Sequence, residues 1–403
     1  MSLITCVEDL RVLAKKRVPK AFYDYVDSGS YSESTYRENS AAFQALKLQQ
    51  RVAVNVEGRS TASTMAGHDV AMPVAIAPTG LAGMQWANGE ILGARAAQRF
   101  GVPFTLSTVS ICSIEDVARA TSVPFWFQLY VMRDRGFNAS LIERAKRAGC
   151  SALVVTLDLQ INGQRHKDIK NGMTVPPRLT MSNVLDFASK PGWMLRAMSG
   201  AKTFGNLSGH IKGGDDVIAI SKWVASQFDP TLSWNDIAAI RQQWDGKLIL
   251  KGILSADDAR VAASVGADAI VVSNHGGRQL DGAPSTVEAL PAIVDAVGDE
   301  VEVWMDGGIR SGQDVMKALA LGAKGTMVGR AFMYALGAMG EAGVTRMLEI
   351  LQSELDVSMA LSGVRRIDEI GRHTLFQGGS NASTLRARRA AIETIEPAVP
   401  ALI

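Results

Sequence analysis

Cysteine is scarce in this chain, and Cys6, Cys112 and Cys150 are its only three. An odd number at wide spacing does not make a disulfide framework and fits a reducing cytoplasm. Neither a CxxC nor an HExxH occurs and the histidines form no cluster, which argues against a metal site. A formal net charge of +2 lacks the basic excess with which nucleic-acid binders neutralise phosphates. No apolar run approaches the ~20 residues of a membrane-spanning helix. The N-terminus carries charge from Glu8 onward and has no apolar core of a secretory signal. What is present is an ordinary globular composition, 47% hydrophobic and 20% charged over 403 residues, enough for one large domain or two moderate ones.

Helical spacing of Val7, Leu10, Leu13 and Ala14 marks a first helix that Pro19 ends. A short amphipathic stretch, 22–29, stops at Gly29, and a further helix is expected over 33–43. Residues 52–56 read as an edge strand or an extended linker, and 1–70 as a helical preface. From residue 73 the pattern becomes regular. Short apolar runs at 74–77, 104–106, 125–129, 153–156, 247–250, 269–272, 301–305 and 325–328 alternate with stretches of helical period. Ser113, Ser233, Ser255, Ser285 and Ser311 each precede an acid by three residues, a pattern that satisfies the orphan N–H groups of a helix start. Eight strands, each leading into a helix, predict an α/β fold, a (β/α)8 TIM barrel; an open doubly wound sheet is the competing architecture. The spacing breaks once, because about 75 residues separate Asp158 from Ser233. The segment 159–232 is therefore read as an insertion or lid. Its 178–212 portion carries Arg178, Lys190, Arg196, Lys202 and Lys212 beside Trp193, Met194, Leu195 and Met198, a composition suited either to a lid or to peripheral membrane contact.

In a barrel, the residues at the C-terminal strand ends face the active site. Those positions hold Thr79, Ser107, Gln128, Tyr130, Thr156, Asp158, Lys251, Ser273, His275, Asp306 and Arg330. Asp306-Gly307-Gly308-Ile309-Arg310 and Gly329-Arg330 follow the last two strands, where glycine N–H groups, a helix start and arginine suit a phosphate. His275 offers a general base with Asp158 as its partner. Arg165 and Arg278 suit a carboxylate, and Tyr25 and Tyr130 offer hydroxyls. Lys251, at the end of an apolar strand, suits either a Schiff base or a counter-charge for a bound anion.

The run Ser273-Asn274-His275-Gly276-Gly277-Arg278-Gln279-Leu280-Asp281 resembles the active-site signature of the FMN-dependent L-2-hydroxy acid dehydrogenase/oxidase family. The likeness extends through Phe22-Tyr23-Asp24-Tyr25, Ala77-Pro78-Thr79-Gly80, Leu106-Ser107-Thr108, Phe127-Gln128-Leu129-Tyr130, Lys251-Gly252, 306–310 and Gly329-Arg330. The resemblance implies one FMN-binding domain over 1–380 and a tail at 381–403. It implies FMN held by Pro78, Thr79, Gly80, Ser107, Gln128, Thr156, Lys251, Ser273, Asp306, Gly308, Arg310, Gly329 and Arg330. His275 would remove a proton from the 2-hydroxy acid, with Asp158 as its partner. Tyr25, Tyr130, Arg165 and Arg278 would bind substrate, and Lys251 would stabilise the reduced cofactor.

Gly80 and Val109 replace the alanine and tryptophan of the glycolate-oxidising branch and leave more room for the substrate side chain. The run 105–110 looks most like lactate-oxidising bacterial members, and 161–165 like mandelate-oxidising ones. The resemblance therefore points to L-lactate as substrate, with (S)-mandelate or an oxygen-using oxidase as alternatives. It also points to a quinone-like acceptor, a homotetramer, and a cytoplasmic protein lying peripherally on the inner face of the membrane. A Schiff-base lyase using Lys251 and a catalytically silent flavin barrel are the readings from other classes.

Overall fold

Eight strands form a parallel barrel in the computed structural model, which describes residues 3–174, 178, 180–200, 204–211 and 216–376. Three helices come first: α1 (Val7–Arg17), α2 (Lys20–Val26) and α3 (Ser34–Ala45). An antiparallel hairpin, β1 (Ser63–Met65) and β2 (His68–Val70), leads into the first barrel strand, β3 (Val74–Ile76). Then come α4 (Ala82–Gln85), α5 (Gly89–Phe100), β4 (Thr105–Ser107), α6 (Ile114–Ala120), β5 (Trp126–Tyr130), α7 (Arg135–Arg147) and β6 (Ala152–Thr156). After β6 the chain makes α8 (His166–Lys170), α9 (Met181–Ala188), α10 (Pro191–Ser199), α11 (Val217–Gln227) and α12 (Trp234–Gln243). Alternation resumes with β7 (Lys247–Ile253), α13 (Ala256–Ser264), β8 (Ala269–Val272), α14 (Thr286–Val297), β9 (Glu302–Met305), α15 (Gly312–Ala320) and β10 (Gly325–Val328). Helices α16 (Arg330–Met339) and α17 (Glu341–Leu361) complete the outer ring.

Strands β4 to β10 pair in sequence order, and β10 pairs back onto β3. A parallel bridge between Ile76 and Phe104, with the Ile76 N–H donating to the Pro103 carbonyl at 2.8 Å, joins β3 to β4. This closure decides between the two architectures, because an open doubly wound sheet keeps two free edges. All five serines expected at helix starts are N-caps, of α6, α12, α13, α14 and α15.

Side chains alternate across each strand. Leu153, Val155, Leu248, Leu250, Ile270 and Val272 point outward into the large apolar layer beneath the helices. Ala75, Ala77, Trp126, Ala152, Val154, Ile249, Ala269, Val271, Trp304 and Met327 point inward and fill the barrel. Trp126 and Trp304 stack there at 5.2 Å with planes 9° apart, a pair worth roughly 0.5–1.5 kcal/mol beyond its burial.

Of the two readings of residues 52–56 the linker fits, since they form no strand and are largely exposed. Two local differences from the sequence expectations stand out. The hairpin β1–β2 went unseen, since three-residue strands are too short to show a period; it packs Met65, Ala66 and Val70 against the inward-facing barrel residues. Among its described residues the insertion holds four helices, α8 to α11, where the sequence pattern suggested none. Lys202, Lys212 and the tail at 381–403 lie outside the described residues.

Candidate active site

The same alternation that fills the barrel sets its upper rim. Two residues beyond the inward Trp126 comes Gln128, and two beyond that Tyr130; beyond Val154 comes Thr156, beyond Ile249 Lys251, beyond Val271 Ser273, beyond Trp304 Asp306 and beyond Met327 Gly329. A ring of polar inward positions thus forms at the C-terminal ends of the strands. Ser107 donates to Gln128 Oε1 at 3.0 Å and Gln128 Nε2 donates to Thr156 Oγ1 at 3.0 Å, a chain of polar groups across three neighbouring strands. Lys251, only 4% exposed, places Nζ 2.7 Å from Asp306 Oδ2 and 2.7 Å from Ser273 Oγ.

Above this layer lies a cavity of about 510 Å³. Tyr25, Pro78, Thr79, Gly80, Val109, Tyr130, Thr156, Arg165, Lys251, His275, Arg278, Asp306, Gly308, Arg310, Gly329 and Arg330 all line it. Ser107, Gln128, Ser273 and Asp158 stand directly behind the lining, each bonded as described here. The candidate site residues singled out from the sequence are thus brought to one site, although their positions span α2 to the start of α16.

His275 adopts a left-handed φ of 57°, followed by Gly276 at 65° and Gly277 at 73°. Such a backbone costs a non-glycine residue about 1–3 kcal/mol, and contacts around it must hold it. A Cβ at Gly276 would sit 2.6 Å from Arg330 Nη1, and one at Gly277 would sit 2.5 Å from the Tyr36 nitrogen, so both positions demand glycine. The His275 N–H donates to Ser273 Oγ at 3.1 Å, and its Nδ1 lies 2.9 Å from Asp158 Oδ1. Burial alone would raise the Asp158 pKa, but the charge and hydrogen bond of His275 hold it below the usual carboxylate range. Asp281 anchors the far end of the loop, accepting from the Ser32 N–H, Ser32 Oγ, Ser34 Oγ and the Thr35 N–H at the start of α3.

The N-terminal helices hold the arginines. Arg278 donates to the Tyr25 carbonyl at 2.6 Å and lies over the Tyr25 ring at 4.8 Å. Arg330 donates to the Val26 carbonyl at 3.0 Å and the Ser28 carbonyl at 2.6 Å. Burial and the nearby Arg165 push the Arg278 guanidinium down to about 10, the mark of a cation short of negative partners. Arg165 has such a partner in Asp168, which accepts from its Nε at 2.6 Å. Burial raises the Tyr130 hydroxyl above its ordinary value, so it is a hydrogen-bonding phenol rather than a phenolate at neutral pH.

The donor set fits FMN. Asp306 Oδ1 is buried without a hydrogen-bond partner among the described residues, an acceptor ready for a polyol hydroxyl. Arg310, Arg330 and the N-terminus of α16 converge where a phosphate would lie. The ion pair with Asp306 also weighs against a Schiff base, because an ammonium has no lone pair for a carbonyl carbon.

Sequence reasoning missed Asp168, which lines the cavity; an acid three residues after Arg165 in a short helix was its available signal. The segment read as an insertion or lid contributes Phe187, Phe204, Ile220, Val224 and Phe228 to the cavity lining, side chains that the sequence reading did not single out. Nothing in their spacing marks them.

A closed barrel that carries at its C-terminal rim a His–Asp pair, two arginines and a corner fit for a phosphate suits an oxidoreductase that binds a flavin and a hydroxy acid. The FMN-dependent dehydrogenase family matches residues 14–377, and the chain belongs to that family. It is 47% identical over 378 residues, 93% of this chain and 98% of the other, to the L-lactate dehydrogenase of Caulobacter sp. (strain K31). It is 46% identical over 378 residues, 93% and 99% of the two chains, to the L-lactate dehydrogenase of Stenotrophomonas maltophilia (strain R551-3). Among solved structures, the monotopic membrane protein (S)-mandelate dehydrogenase superposes with a TM-score of 0.89 at 37% identity, covering 93% of this chain and all of that one.

Proposed function

We propose that the protein oxidises L-lactate to pyruvate with FMN as cofactor and His275 as general base. The observation that carries this reading is the His275–Asp158 pair at 2.9 Å, facing Arg165 and Arg278 in one cavity with the Lys251–Asp306 pair. Pro78, Thr79, Gly80, Ser107, Gln128, Thr156, Lys251 and Ser273 hold the isoalloxazine; Asp306, Gly308, Arg310, Gly329 and Arg330 hold the ribityl phosphate. Bound there, FMN would supply the two-electron acceptor of the oxidation. Arg165 and Arg278 bind the substrate carboxylate, and Tyr25 and Tyr130 donate to its oxygens. His275 takes the proton, and Asp158 stabilises the imidazolium. Lys251, held by Asp306 and Ser273, would offer positive charge to the bound cofactor.

The insertion supports a quinone-like acceptor and peripheral attachment to the inner face of a cytoplasmic membrane, because it roofs the cavity with apolar side chains and turns others outward. No described helix is long and apolar enough to cross a membrane. The assembly is a homotetramer in this reading, to be measured by light scattering.

The purified protein is expected to be yellow, and anaerobic L-lactate is expected to bleach it faster than L-mandelate or glycolate. His275→Gln should retain FMN and lose bleaching by a factor on the order of 10²–10⁴. A colourless protein trapped by borohydride with a carbonyl substrate would refute the reading.

A further inference from the structure

Residues 157–165 carry Asp158 at one end and Arg165 at the other, yet they form no helix or strand. Burial holds the start of this loop, where Leu157 packs against the core, but not its middle: Ile161 is 70% exposed, and Leu280, on the neighbouring loop, is 71% exposed. Directed bonds hold that middle, and one side chain supplies three of them. Gln279 Nε2 donates to the Asp158 carbonyl at 2.8 Å and to the Ile161 carbonyl at 2.8 Å. Its Oε1 accepts from the Gly163 N–H at 3.2 Å. Two carbonyls and one N–H admit only this orientation of the amide, since the reverse would set oxygen against oxygen. The two loops also touch closely, because a Cβ at Gly163 would lie 2.6 Å from the Arg278 carbonyl and 2.7 Å from that of Gln279.

We infer that Gln279 is a positioning residue of the reaction: it clamps the loop after β6 onto the loop after β8, so that Asp158 stays on His275 through the proton transfer. The His275–Asp158 contact thereby has two ends. One is the 2.9 Å bond between side chains, and the other is the bond from Gln279 to the backbone of the same aspartate. Charge on the imidazole rises and falls in each turnover, and a free loop would let the carboxylate drift toward solvent or toward the Arg165 guanidinium. The inference rests on His275 as the base.

Gln279→Met keeps the volume and removes all three bonds; Gln279→Glu keeps the acceptor for Gly163 and turns a carboxylate oxygen on two carbonyls. Both are expected to retain FMN and to lower kcat with L-lactate by about ten- to a hundredfold, with a smaller change in KM. The primary deuterium isotope effect with L-[2-²H]lactate should rise, because proton removal becomes slower relative to other steps. In an Asp158→Asn background, Gln279→Met should cost less than about twofold more, since the clamp has nothing left to position. A crystal structure of Gln279→Met, with Asp158 drawn off Nδ1 of His275, reads the same point without turnover. Two results would overturn the inference: a variant whose kcat and isotope effect match the parent, or losses from Gln279 and Asp158 that multiply. Failure of the parent protein to be bleached by any 2-hydroxy acid would instead sink the reading of the activity, and the crystal structure would still decide the clamp.

Discussion

In the proposed reading, single residues at the rim set what the substrate side chain meets. Gly80 is one, because a Cβ built there falls 2.7 Å from Val109 Cγ2. Gly80→Ala must push Val109 aside or into the cavity, and the larger substrate should feel it more. Its kcat/KM for L-mandelate is expected to drop roughly tenfold further than that for L-lactate, as steady-state assays with both acids would show. Equal losses would place the side-chain pocket elsewhere. At this scale much was legible, since His275, Arg278 and Asp281 sit in one short motif. Asp168 and Gln279 were not legible as site residues, because their importance lies in the Arg165 Nε and in the carbonyls of a loop more than a hundred residues away.

Among the elements, the insertion asks most for explanation. On one side of α9 and α10, Phe187 and Trp193 pack against Phe22 of α2 at centroid distances of 5.6 and 5.4 Å, and Trp193 donates to the Met84 carbonyl at 2.9 Å. On the other side Met181, Leu185, Leu195 and Met198 are 67–76% exposed. Helices fastened by their aromatic faces and open on a methionine and leucine face suit the interfacial region of a bilayer. Replacing those four residues by serine is expected to abolish sedimentation with anionic vesicles and to leave turnover with a soluble acceptor dye within about twofold. Sedimentation that survives the change would refute membrane contact through this face. The sequence marked this segment by its composition alone; its helices are short, and two of them show their sidedness only once Phe22 and Met84 are in place.

Across the whole molecule, the barrel separates stability from chemistry along its axis. At one end the hairpin residue Met65 is fully buried against the inward-facing barrel side chains, and at the other the polar rim opens into the cavity. Met65→Ala is expected to cost about 2–5 kcal/mol through the void it leaves. Thermal melting should register that loss while kcat per bound FMN stays unchanged; a fall in kcat would mean the two ends are coupled. The eight barrel strands, most of the helices between them and five serine caps were readable in advance because each is a local pattern of period or capping chemistry. So was the family signature, whose residues lie within a few positions of one another. A barrel was expected, but not that Ile76 and Phe104 close it, nor was the plug beneath it readable, nor the grip of α2 on Arg278 and Arg330, nor the hydrogen bonds of Gln279. Local sequence fixes which face of a strand is polar, but only the packed chain decides which distant carbonyls and carboxylates those polar groups meet.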